Sequence, residues 1–395
     1  MKTVGIICEY NPLHMGHIFH VNKTRSILGA DCAVVCIMSG NYVQRGDFAV
    51  FNKHARAEAA VRCGADLVVE MPSPYALSSA ERFAAAGVHI LDSLGLCDYI
   101  SFGSESGDLD ALFEIAEAIV TERANELVKE GLRKGIPYAS ALQYAADTVL
   151  GTRSKALQSP NNLLGIEYLK AITAYRSSLR PLTIKRIGGE HDGDTGFSAS
   201  ALRKKFLLGE EPWAFMPCTA SGVYKKEIAE GRGPISMRLY ELAMLSRLRA
   251  KVDYFKLSDA SEGLDRRFSR FAEYEPTIAK LLESVKTKRY AMSRIRRMMM
   301  CACLGITAAT TQNPPPYIRV LAMNRTGKKL LKAARESAKL PIITKPASAK
   351  KVHGRVAEMF AIEAAATDFY TLAYQGEDER SGGQEWRQGP IVVDE

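Results

Sequence analysis

The sequence predicts an α/β fold in which a doubly wound parallel sheet is followed by a mostly helical C-terminal domain. Short β-branched apolar runs alternate with helical stretches over the first half of the chain, and such runs become rare beyond about residue 234. The 395 residues are enough for two domains at roughly 100–200 residues each. We therefore predict a first domain at 1–205, a connector at 206–233, a helical basic region at 234–374 and a flexible tail at 375–395.

The predicted sheet is built from five apolar runs, each short enough for one strand. Strands are predicted at 4–8, 33–38, 67–70, 99–102 and 182–187, with helices at 53–63, 80–94 and 109–130. Continuous apolar strands separated by helices indicate a parallel sheet that is covered on both faces. Such sheets bind ligands beyond the carboxyl ends of their strands, so we expect functional residues in the loops that follow these runs.

Composition and charge narrow the class of protein. Lysine and arginine total 53 against 44 acidic residues, and the formal net charge of +9 favours polyanionic partners such as RNA or nucleotides. Hydrophobic residues make up 47% of the chain, which argues against disorder. No apolar run reaches the ~18 residues that span a bilayer, and Glu9 interrupts the first run too early for a signal peptide. We therefore expect a cytoplasmic protein without membrane contact.

The loop after the first strand carries two histidines at the start of a helical pattern. It contains the sequence EYNPLHMGH at 9–17. Pro12 precedes the helix and Gly16 lets backbone approach a ligand, so His14 and His17 are presented at a helix N-terminus, where phosphate is favoured. Imidazoles there can stabilise the charge that develops when the α-phosphate of a nucleotide is attacked, which suggests nucleotidyl transfer. The alternative is that both histidines are capping or surface residues.

A second segment suited to phosphate follows the fifth predicted strand. A loop rich in glycine and aspartate at 188–196 leads into the sequence FSASALR at 197–203. Ser198 or Ser200 is expected to cap the next helix, and Arg203 with the helix N-terminus would grip the β- and γ-phosphates. Asp192 and Asp194 offer oxygen ligands for Mg²⁺, although aspartate in such a loop is more often a turn former.

Together these motifs resemble those of the HxGH nucleotidyltransferase superfamily, in which HxGH is paired with a later Ser/Thr-rich segment ending in Arg or Lys. Within it the chain is similar, over nearly its whole length, to the bacterial tRNA(Met) cytidine acetate ligases. The segment GIICEYNP at 5–12, with HMGH at 14–17, is shared across the superfamily. The family-specific part of the resemblance lies in the segments SGNYVQRG at 39–46, SFGSE at 101–105, SPNNLLG at 159–165 and KTKRY at 286–290.

The resemblance implies a Rossmann-like, ATP-binding domain and a ligase that modifies tRNA. Acetate would be activated with ATP to acetyl-adenylate, and the acetyl group passed to the wobble cytidine of elongator tRNA(Met) to give N4-acetylcytidine. ATP would be accompanied by Mg²⁺, with His14, His17, Ser198 and Arg203 as catalytic residues. The implied ATP-binding residues are Ile7, Cys8, Glu9, Tyr10, Asn11, Pro12, Leu13, His14, Met15, Gly16, His17, Ile18, Phe19, His20, Gly103, Asn161, Asn162, Arg186 and Ile187. Met15 departs from the family pattern, since many relatives carry Asn there.

Polar residues after the second strand are further candidates. Arg45, oriented by Gln44, would hold a phosphate or the acetate carboxylate, the alternative being an ordinary polar loop. Lys53, His54 and Arg56 are expected to begin a solvated helix face, the alternative being that the upstream end of that helix lines the pocket.

Two later segments reach the same predicted edge. Gly103 ends the fourth strand, where glycine permits close approach of a base or ribose, and the alternative is a plain turn glycine. Asn161 and Asn162 open a predicted helix at 163–175. One asparagine is expected to cap that helix and the other to bond the adenine or the acyl group.

The C-terminal region is predicted to be helical at 237–248, 264–274, 277–285, 290–304, 328–337 and 356–374. Its segment 286–297 contains six basic residues, Tyr290 and no acidic residue. Phosphates attract such a cluster, and guanidinium groups and Tyr290 can stack on unpaired bases. A charge run is usually a solvated face, but this one lacks acidic partners at helical spacing. The predicted tRNA-binding residues are Lys286, Lys288, Arg289, Arg294, Arg296 and Arg297.

Two other functions stay open at this point. A cofactor-forming adenylyltransferase acting on a small phosphorylated substrate would use the same HxGH chemistry, but it would not need so large a basic helical region. A non-catalytic RNA-binding protein would keep the basic segment beside a degenerate nucleotide pocket. Acetate-dependent exchange between ATP and pyrophosphate distinguishes all three.

Overall fold

A computed structural model of the protein describes residues 1–134, 136, 138–186, 198–250 and 252–394. The strands in this part of the chain are β1 (Thr3–Cys8), β2 (Ala33–Ser39), β3 (Tyr42–Val43), β4 (Asp47–Phe48), β5 (Leu67–Met71), β6 (Tyr99–Ser104), β7 (Arg180–Lys185), β8 (Ile318–Met323), β9 (Ile342–Ile343) and β10 (Ile391–Val392). One eight-stranded sheet has the order β10-β8-β5-β2-β1-β6-β7, with β9 paired to β8, and β3 and β4 form a separate hairpin.

The parallel, doubly wound arrangement predicted for the first half is confirmed. Neighbours β5, β2, β1, β6 and β7 all pair in parallel. The chain runs from β1 to β2 and β5 on one side, and then crosses back to β6 and β7 on the other. This reversal beside β1 creates the crevice in which such sheets bind ligands. The β-branched runs form strands here because both faces of the sheet are buried.

Helices cover both faces of the sheet and build most of the C-terminal region. They are α1 (Met15–Leu28), α2 (Lys53–Arg62), α3 (Ser73–Ala76), α4 (Ala80–Leu94), α5 (Leu109–Ala118), α6 (Glu122–Arg133), α7 (Tyr138–Leu150), α8 (Pro160–Ala174), α9 (Ala199–Leu207), α10 (Cys218–Ala229), α11 (Glu241–Arg249), α12 (Leu264–Tyr274), α13 (Ile278–Val285), α14 (Met292–Leu304), α15 (Arg325–Ser337), α16 (Arg355–Thr371) and α17 (Gln384–Arg387). The helix predicted at 109–130 is two helices, because Thr121 accepts from the backbone N–H of Ala124 and caps α6. Within the described residues, no helix is both long and apolar enough to cross a bilayer.

Alternate residues of the central strands point to two different cores. Val35 and Ile37 of β2 pack on the face covered by α4, α5 and α8, whereas Val34 and Cys36 pack on the opposite face with α1, α2 and α10. A third core joins α11–α14 and α16, and it also takes in Tyr42 from the β3–β4 hairpin. The hairpin therefore connects the sheet with the helical region.

The sheet is not confined to the first half of the chain, which the predicted domain division did not anticipate. β8 lies antiparallel to β5, with Leu67 opposite Met323, and β9 pairs with β8. The region 234–374 thus adds two strands, β8 and β9, to the sheet of the predicted first domain. An antiparallel neighbour at the margin of a parallel sheet is a common arrangement.

The prediction of a flexible tail at 375–395 is wrong for the described residues 375–394. β10 pairs in parallel with β8, and the Trp386 ring packs on Phe360 with the ring centroids 4.8 Å apart. Glu385 is buried, and it forms ion pairs with Lys53 and Arg319. One polar residue of the tail thus supplies a charged partner to the interior, so polar composition alone did not indicate a mobile segment.

Candidate active site and RNA-binding surface

His14 and His17 occupy the first turn of α1, directly after β1 and beside the reversal of strand order. His14 is the N-cap of α1, and its Nδ1 accepts a hydrogen bond from the backbone N–H of Gly16 at 3.1 Å. The Nδ1 of His17 accepts from the backbone N–H of His14 at 3.2 Å. Because each Nδ1 is an acceptor, the proton of each neutral imidazole lies on Nε2, which becomes a donor. Capping is therefore compatible with ligand binding, since it fixes the tautomer.

Burial and neighbouring positive charge keep the inner histidines neutral. Burial lowers the pKa of His17 well below its usual range, and the charges of His14, Arg186 and His20 lower it further. Burial and the charge of Arg186 lower the pKa of His20 to about 4. The Nε2 of His20 lies 2.8 Å from the Ser101 hydroxyl oxygen, which fixes this ring against β6. A neutral imidazole can donate a hydrogen bond to an anion, and it does not repel the positive charge of the neighbouring Arg186.

Gly103 and Arg186 lie side by side at the ends of β6 and β7. The backbone N–H of Arg186 donates to the carbonyl of Ser104 at 2.9 Å, which holds the two strand ends together. A Cβ at Gly103 would lie 3.3 Å from the Arg186 Cγ, so glycine leaves room for the arginine stem. The Arg186 side chain is exposed, and its positive charge lowers the pKa of His17.

The loop between β7 and α9 lies mostly outside the described residues. Ile187, Asp192 and Asp194 all fall in this gap. In the described parts of the chain, no group of three or more His, Cys, Asp or Glu side chains could hold a metal ion.

The second phosphate-binding segment meets the first at α9. Ser198 caps this helix and accepts from the backbone N–H of Ala201 at 3.2 Å, which confirms one of the two predicted caps. The Arg203 guanidinium donates to the carbonyl of Asn11 at 2.6 Å and to the Ser200 hydroxyl at 3.0 Å. The structure therefore brings Arg203 against the HxGH loop, although nearly two hundred residues separate them in the chain.

Asn161 and Asn162 are anchored to the loop after β6. The Glu105 carboxylate accepts from the Asn161 side-chain amide at 2.6 Å and from the Asn162 backbone N–H at 2.9 Å. The Asn162 side-chain oxygen in turn accepts from the backbone N–H groups of Glu105 and Ser106. The prediction that one asparagine caps the helix is wrong, because α8 begins at Pro160 and its N-cap is Ser159. The contacts with Glu105 nevertheless hold Asn161 and Asn162 close to the end of β6.

The β3–β4 hairpin is fastened to the loop after β1. The Glu9 carboxylate accepts from the backbone N–H of Gln44 at 2.7 Å, and the Gln44 side-chain amide donates to the carbonyl of Ser78 at 3.2 Å. Arg45 is exposed at the hairpin tip and has no hydrogen bond or ion pair with any described residue. Gln44 is therefore a support for the hairpin, whereas Arg45 is available to a ligand.

The basic segment 286–297 divides into exposed and internally paired residues. Lys286, Lys288 and Arg289 are exposed in the turn before α14. Arg297 is buried, with its guanidinium 2.9 Å from the Asp259 carboxylate, and Arg294 pairs with Glu262 at 2.6 Å. The segment itself has no acidic residue, and its acidic partners, Asp259 and Glu262, come from the loop before α12.

Tyr290 does not serve as a stacking platform. Its ring is buried, and its hydroxyl donates to the carbonyl of Glu262 at 2.6 Å. The side chain fixes the turn that presents Lys288 and Arg289, so these two carry the RNA-binding hypothesis better than Arg294 or Arg297.

Close backbone packing joins the hairpin to this basic segment. Gly46 has φ = +74°, and a Cβ there would lie 2.4 Å from the backbone nitrogen of Arg297. Arg296 lies 3.6 Å from the Asp47 carboxylate. Burial raises the pKa of Asp47, and the charges of Arg296 and Arg203 lower it. Asp47 therefore lies between the nucleotide-binding loops and the basic helix.

The sequence as a whole matches known proteins. A model of the HIGH Nucleotidyl Transferase family matches residues 1–385. A tRNA(Met) cytidine acetate ligase of Acetivibrio thermocellus is 36% identical over 419 residues, with 100% of both chains covered. The corresponding protein of Caldanaerobacter subterraneus is 40% identical, over 95% of this chain and 96% of that protein. The chain belongs to the tRNA(Met) cytidine acetate ligase family.

Solved structures agree with this family membership. Thermotoga maritima TmcAL bound with alpha-thio ATP is similar to this chain with a TM-score of 0.92 and 32% identity, and both chains are covered completely. The apo form of the same protein gives a TM-score of 0.94. The HxGH loop is thus set in a fold that this chain shares with the Thermotoga maritima protein along its full length.

In this family member, α2 carries buried charges that the sequence interpretation missed. Arg56 is fully buried, and its guanidinium donates to the backbone carbonyls of Glu9, Ser39, Gly40 and Phe51. One side chain therefore fixes the loops after β1 and β2. The prediction of a solvated helix face at 53–56 is wrong, because the loop carbonyls satisfy this guanidinium in the interior.

Lys53 is the centre of a second buried group. Its ammonium lies 2.6 Å from the Glu70 carboxylate and 2.5 Å from the Glu385 carboxylate, and Glu385 also pairs with Arg319 at 3.4 Å. Burial and the charge of Glu70 raise the pKa of the nearby Glu363 to about 8. This buried charge cluster, formed by Lys53, Glu70, Arg319, Glu363 and Glu385, lies under the carboxyl ends of β2 and β5.

Proposed function

We propose that the protein activates acetate with ATP and transfers the acetyl group to the wobble cytidine of elongator tRNA(Met), giving N4-acetylcytidine, AMP and pyrophosphate. One observation carries the proposal: His14 and His17 present Nε2–H donors at the N-terminus of α1, beside Arg186 and Arg203, in a member of the tRNA(Met) cytidine acetate ligase family. The related Thermotoga maritima protein binds an ATP analogue, which supports ATP as a substrate.

The first step places the triphosphate over the strand ends. An acetate oxygen attacks the α-phosphorus, and the bond between that phosphorus and the bridging oxygen to the β-phosphate breaks, which releases pyrophosphate. The Nε2–H groups of His14 and His17 and the N-terminus of α1 stabilise the charge that develops on the α-phosphate. Arg203 and Arg186 hold the leaving phosphates, while Arg45 binds the acetate carboxylate or a phosphate. Catalysis therefore depends on positioning and electrostatics rather than on a covalent enzyme intermediate.

The second step brings RNA to the acetyl-adenylate. The exocyclic amine of the cytidine attacks the acetyl carbonyl carbon, AMP leaves with the electron pair of the broken C–O bond, and the amine loses a proton. The base must be unstacked to reach the strand ends. The packing of Gly46 on α14 supports this route, because the exposed Lys288 and Arg289 lie in the turn directly before this helix, which is fixed to the β3–β4 hairpin.

Magnesium accompanies ATP in this proposal. Asp192 and Asp194 are candidate ligands, since Mg²⁺ prefers oxygen donors. We expect the reaction in the cytoplasm, where ATP, acetate and tRNA meet.

The test compares His17→Ala with His89→Ala. His89 is a partly buried histidine on α4, its ring 5.6 Å from that of Tyr175 at the opposite edge of the sheet. The proposal predicts that His17→Ala lowers the rate of acetate-dependent ATP–pyrophosphate exchange by about 100–1,000-fold, as expected for loss of a charge-stabilising donor. His89→Ala should keep the wild-type rate, and both variants should bind tRNA(Met) with wild-type affinity. Full exchange by His17→Ala would remove His17 from the mechanism.

The same assay separates the rival functions. An adenylyltransferase for a small phosphorylated substrate would exchange pyrophosphate without acetate, and an RNA-binding protein would not exchange it at all. A wild-type protein that forms acetyl-adenylate but leaves labelled acetate off tRNA(Met) would contradict the RNA half of the proposal.

A further inference from the structure

A groove opens on the helical side of the protein, beside the basic segment. The turn Met237–Tyr240, the first turn of α11, α13 and the start of α14 surround it, and its volume is about 520 Å³. This volume falls in the range of roughly 300–1,000 Å³ that is typical of ligand sites. The floor is apolar and consists of Met237, Ile278, Ala279, Leu282 and Met292. The acetate and ATP chemistry described above does not use this groove.

The rim of the groove is mainly cationic. Arg238, Lys286 and Arg296 line it, against the carboxylates of Glu241 and Glu283. Glu241 accepts from the backbone N–H of Ile278 at 2.9 Å, so its charge is engaged by the N-terminus of α13. Arg238 is exposed, and it makes no hydrogen bond or ion pair with the described residues. An apolar floor under a cationic rim matches a nucleotide, whose base has apolar faces and whose phosphate is anionic.

The groove shares a wall with the β3–β4 hairpin. Arg296 lines the groove and also lies 3.6 Å from the Asp47 carboxylate of β4. The adjacent Gly46 packs directly on the backbone of α14. An RNA strand that delivers one base to the strand ends would therefore pass the groove with a neighbouring nucleotide. Proteins that read RNA loops commonly splay out several bases in this way.

We propose that this groove, which we call the α13 groove, binds one unstacked base of the tRNA loop that contains the acetylated cytidine. The occupant is thus a single-stranded nucleotide of the substrate, held by its base on the methionine and leucine side chains and by its phosphate on the rim. Methionine suits this role because its flexible, polarisable side chain adapts to a flat ring. The inference rests on the proposed function, since it assumes that the loop is presented to the nucleotide edge.

Two neighbouring positions on α13 provide a matched pair of variants. Ala279 and Lys280 are both exposed, and only Ala279 lines the groove. Ala279→Glu places a carboxylate over the groove floor, in the first turn of a helix where an acidic residue is tolerated. Lys280→Glu changes the net charge by twice as much but leaves the groove open. Equal thermal unfolding midpoints in the two variants verify that both are folded.

The assay measures acetylation of a tRNA(Met) transcript and of transcripts that each lack one base of the anticodon loop other than the modified cytidine. Ala279→Glu should raise the KM for intact tRNA by about tenfold or more, within the range of about 1–3 kcal/mol that base stacking contributes. Lys280→Glu should have a smaller effect. One particular missing base should raise the KM of the wild type by about tenfold but change that of Ala279→Glu less than about twofold, because the shared contact is already lost.

Failure of this inference differs from failure of the proposed function. If every missing base acts equally on wild type and Ala279→Glu, or if Lys280→Glu is as damaging as Ala279→Glu, the groove does not bind a base. If Ala279→Glu has the same KM for tRNA as the wild type, the groove does not bind the RNA substrate. If the wild type does not acetylate tRNA(Met) at all, the proposed function fails, and equilibrium binding of the same transcripts still decides whether the groove holds a base.

Discussion

Replacement of Glu363 by glutamine tests whether the interior of this protein holds a proton at neutral pH. Glu363 is a buried residue of α16 that contacts Ser73, shortly after β5 in the chain. The backbone N–H and the hydroxyl of Ser73 donate to its two carboxyl oxygens, the second at 3.0 Å. Burial and the charge of Glu70 raise its pKa from 4.5 to about 8. Glutamine can keep both contacts, because the Ser73 hydroxyl can accept from an amide N–H instead of donating.

The raised pKa makes stability depend on pH in a definite direction. Between about pH 4.5 and pH 8 the unfolded chain has lost this proton while the folded protein keeps it, so the free energy of unfolding falls as pH rises, by up to about 1.4 kcal/mol per pH unit. Below this window both states are protonated and the contribution is fully retained, and above it the loss is complete. From pH 6 to pH 8 the wild type should lose about 2 kcal/mol that Glu363→Gln does not lose.

Urea unfolding at pH 6, 7 and 8 measures this difference, with fluorescence of Trp386 beside the cluster as the signal. Glu363→Gln should become more stable relative to the wild type by about 2 kcal/mol over that range. The control is Glu358→Gln, the same substitution at an exposed position of α16, which should differ from the wild type by a constant amount. A constant difference for Glu363→Gln as well would mean that the carboxyl is ionised in the folded protein.

Two further predictions concern the connection between the hairpin and the RNA-binding surface. Gly46→Ala should lower both stability and tRNA acetylation more than Gly305→Ala, the change at the C-cap of α14. Both glycines have positive φ, but only at Gly46 would a Cβ meet the backbone of Arg297. Equal unfolding midpoints and equal acetylation rates in the two variants would contradict the packing argument. Replacing Lys288 and Arg289 together by alanine should reduce the slope of log Kd for tRNA against log salt by about 1.5, and a slope equal to that of the wild type would show that neither side chain neutralises a phosphate.

The elements that could be predicted from the sequence are those that depend on residues close together in the chain. The five parallel strands were found because their runs are rich in apolar and β-branched residues and alternate with helical stretches, and the HxGH loop was found because all of its parts lie within a few residues. β8 was missed, since it follows a long helical stretch of sequence and its pairing with β5 depends on residues far away in the chain, such as Leu67 opposite Met323. The charge itself was the available signal: Glu70 in β5 and Arg319 in β8 are charged residues within apolar strands, which need buried partners.

The candidate site was predictable in part for the same reason. His14, His17 and the Ser198 cap depend on neighbours in sequence, and their positions agree with the interpretation of the motif. The exposure of the basic residues was not predictable, because the acidic partners of Arg294 and Arg297 come from another loop. Sequence spacing shows which charges share one helix, but it does not show what packs against that helix.

The pairing of β10 with β8 and of Glu385 with Lys53 has a consequence for the order in which the molecule is completed. A chain that has been synthesised only as far as β8 holds Lys53 and Arg319 without their shared carboxylate. The buried charge cluster therefore closes only after residue 385 has left the ribosome. Until then, two cations lie beneath the loops after β2 and β5 without the charge that compensates them in the folded protein.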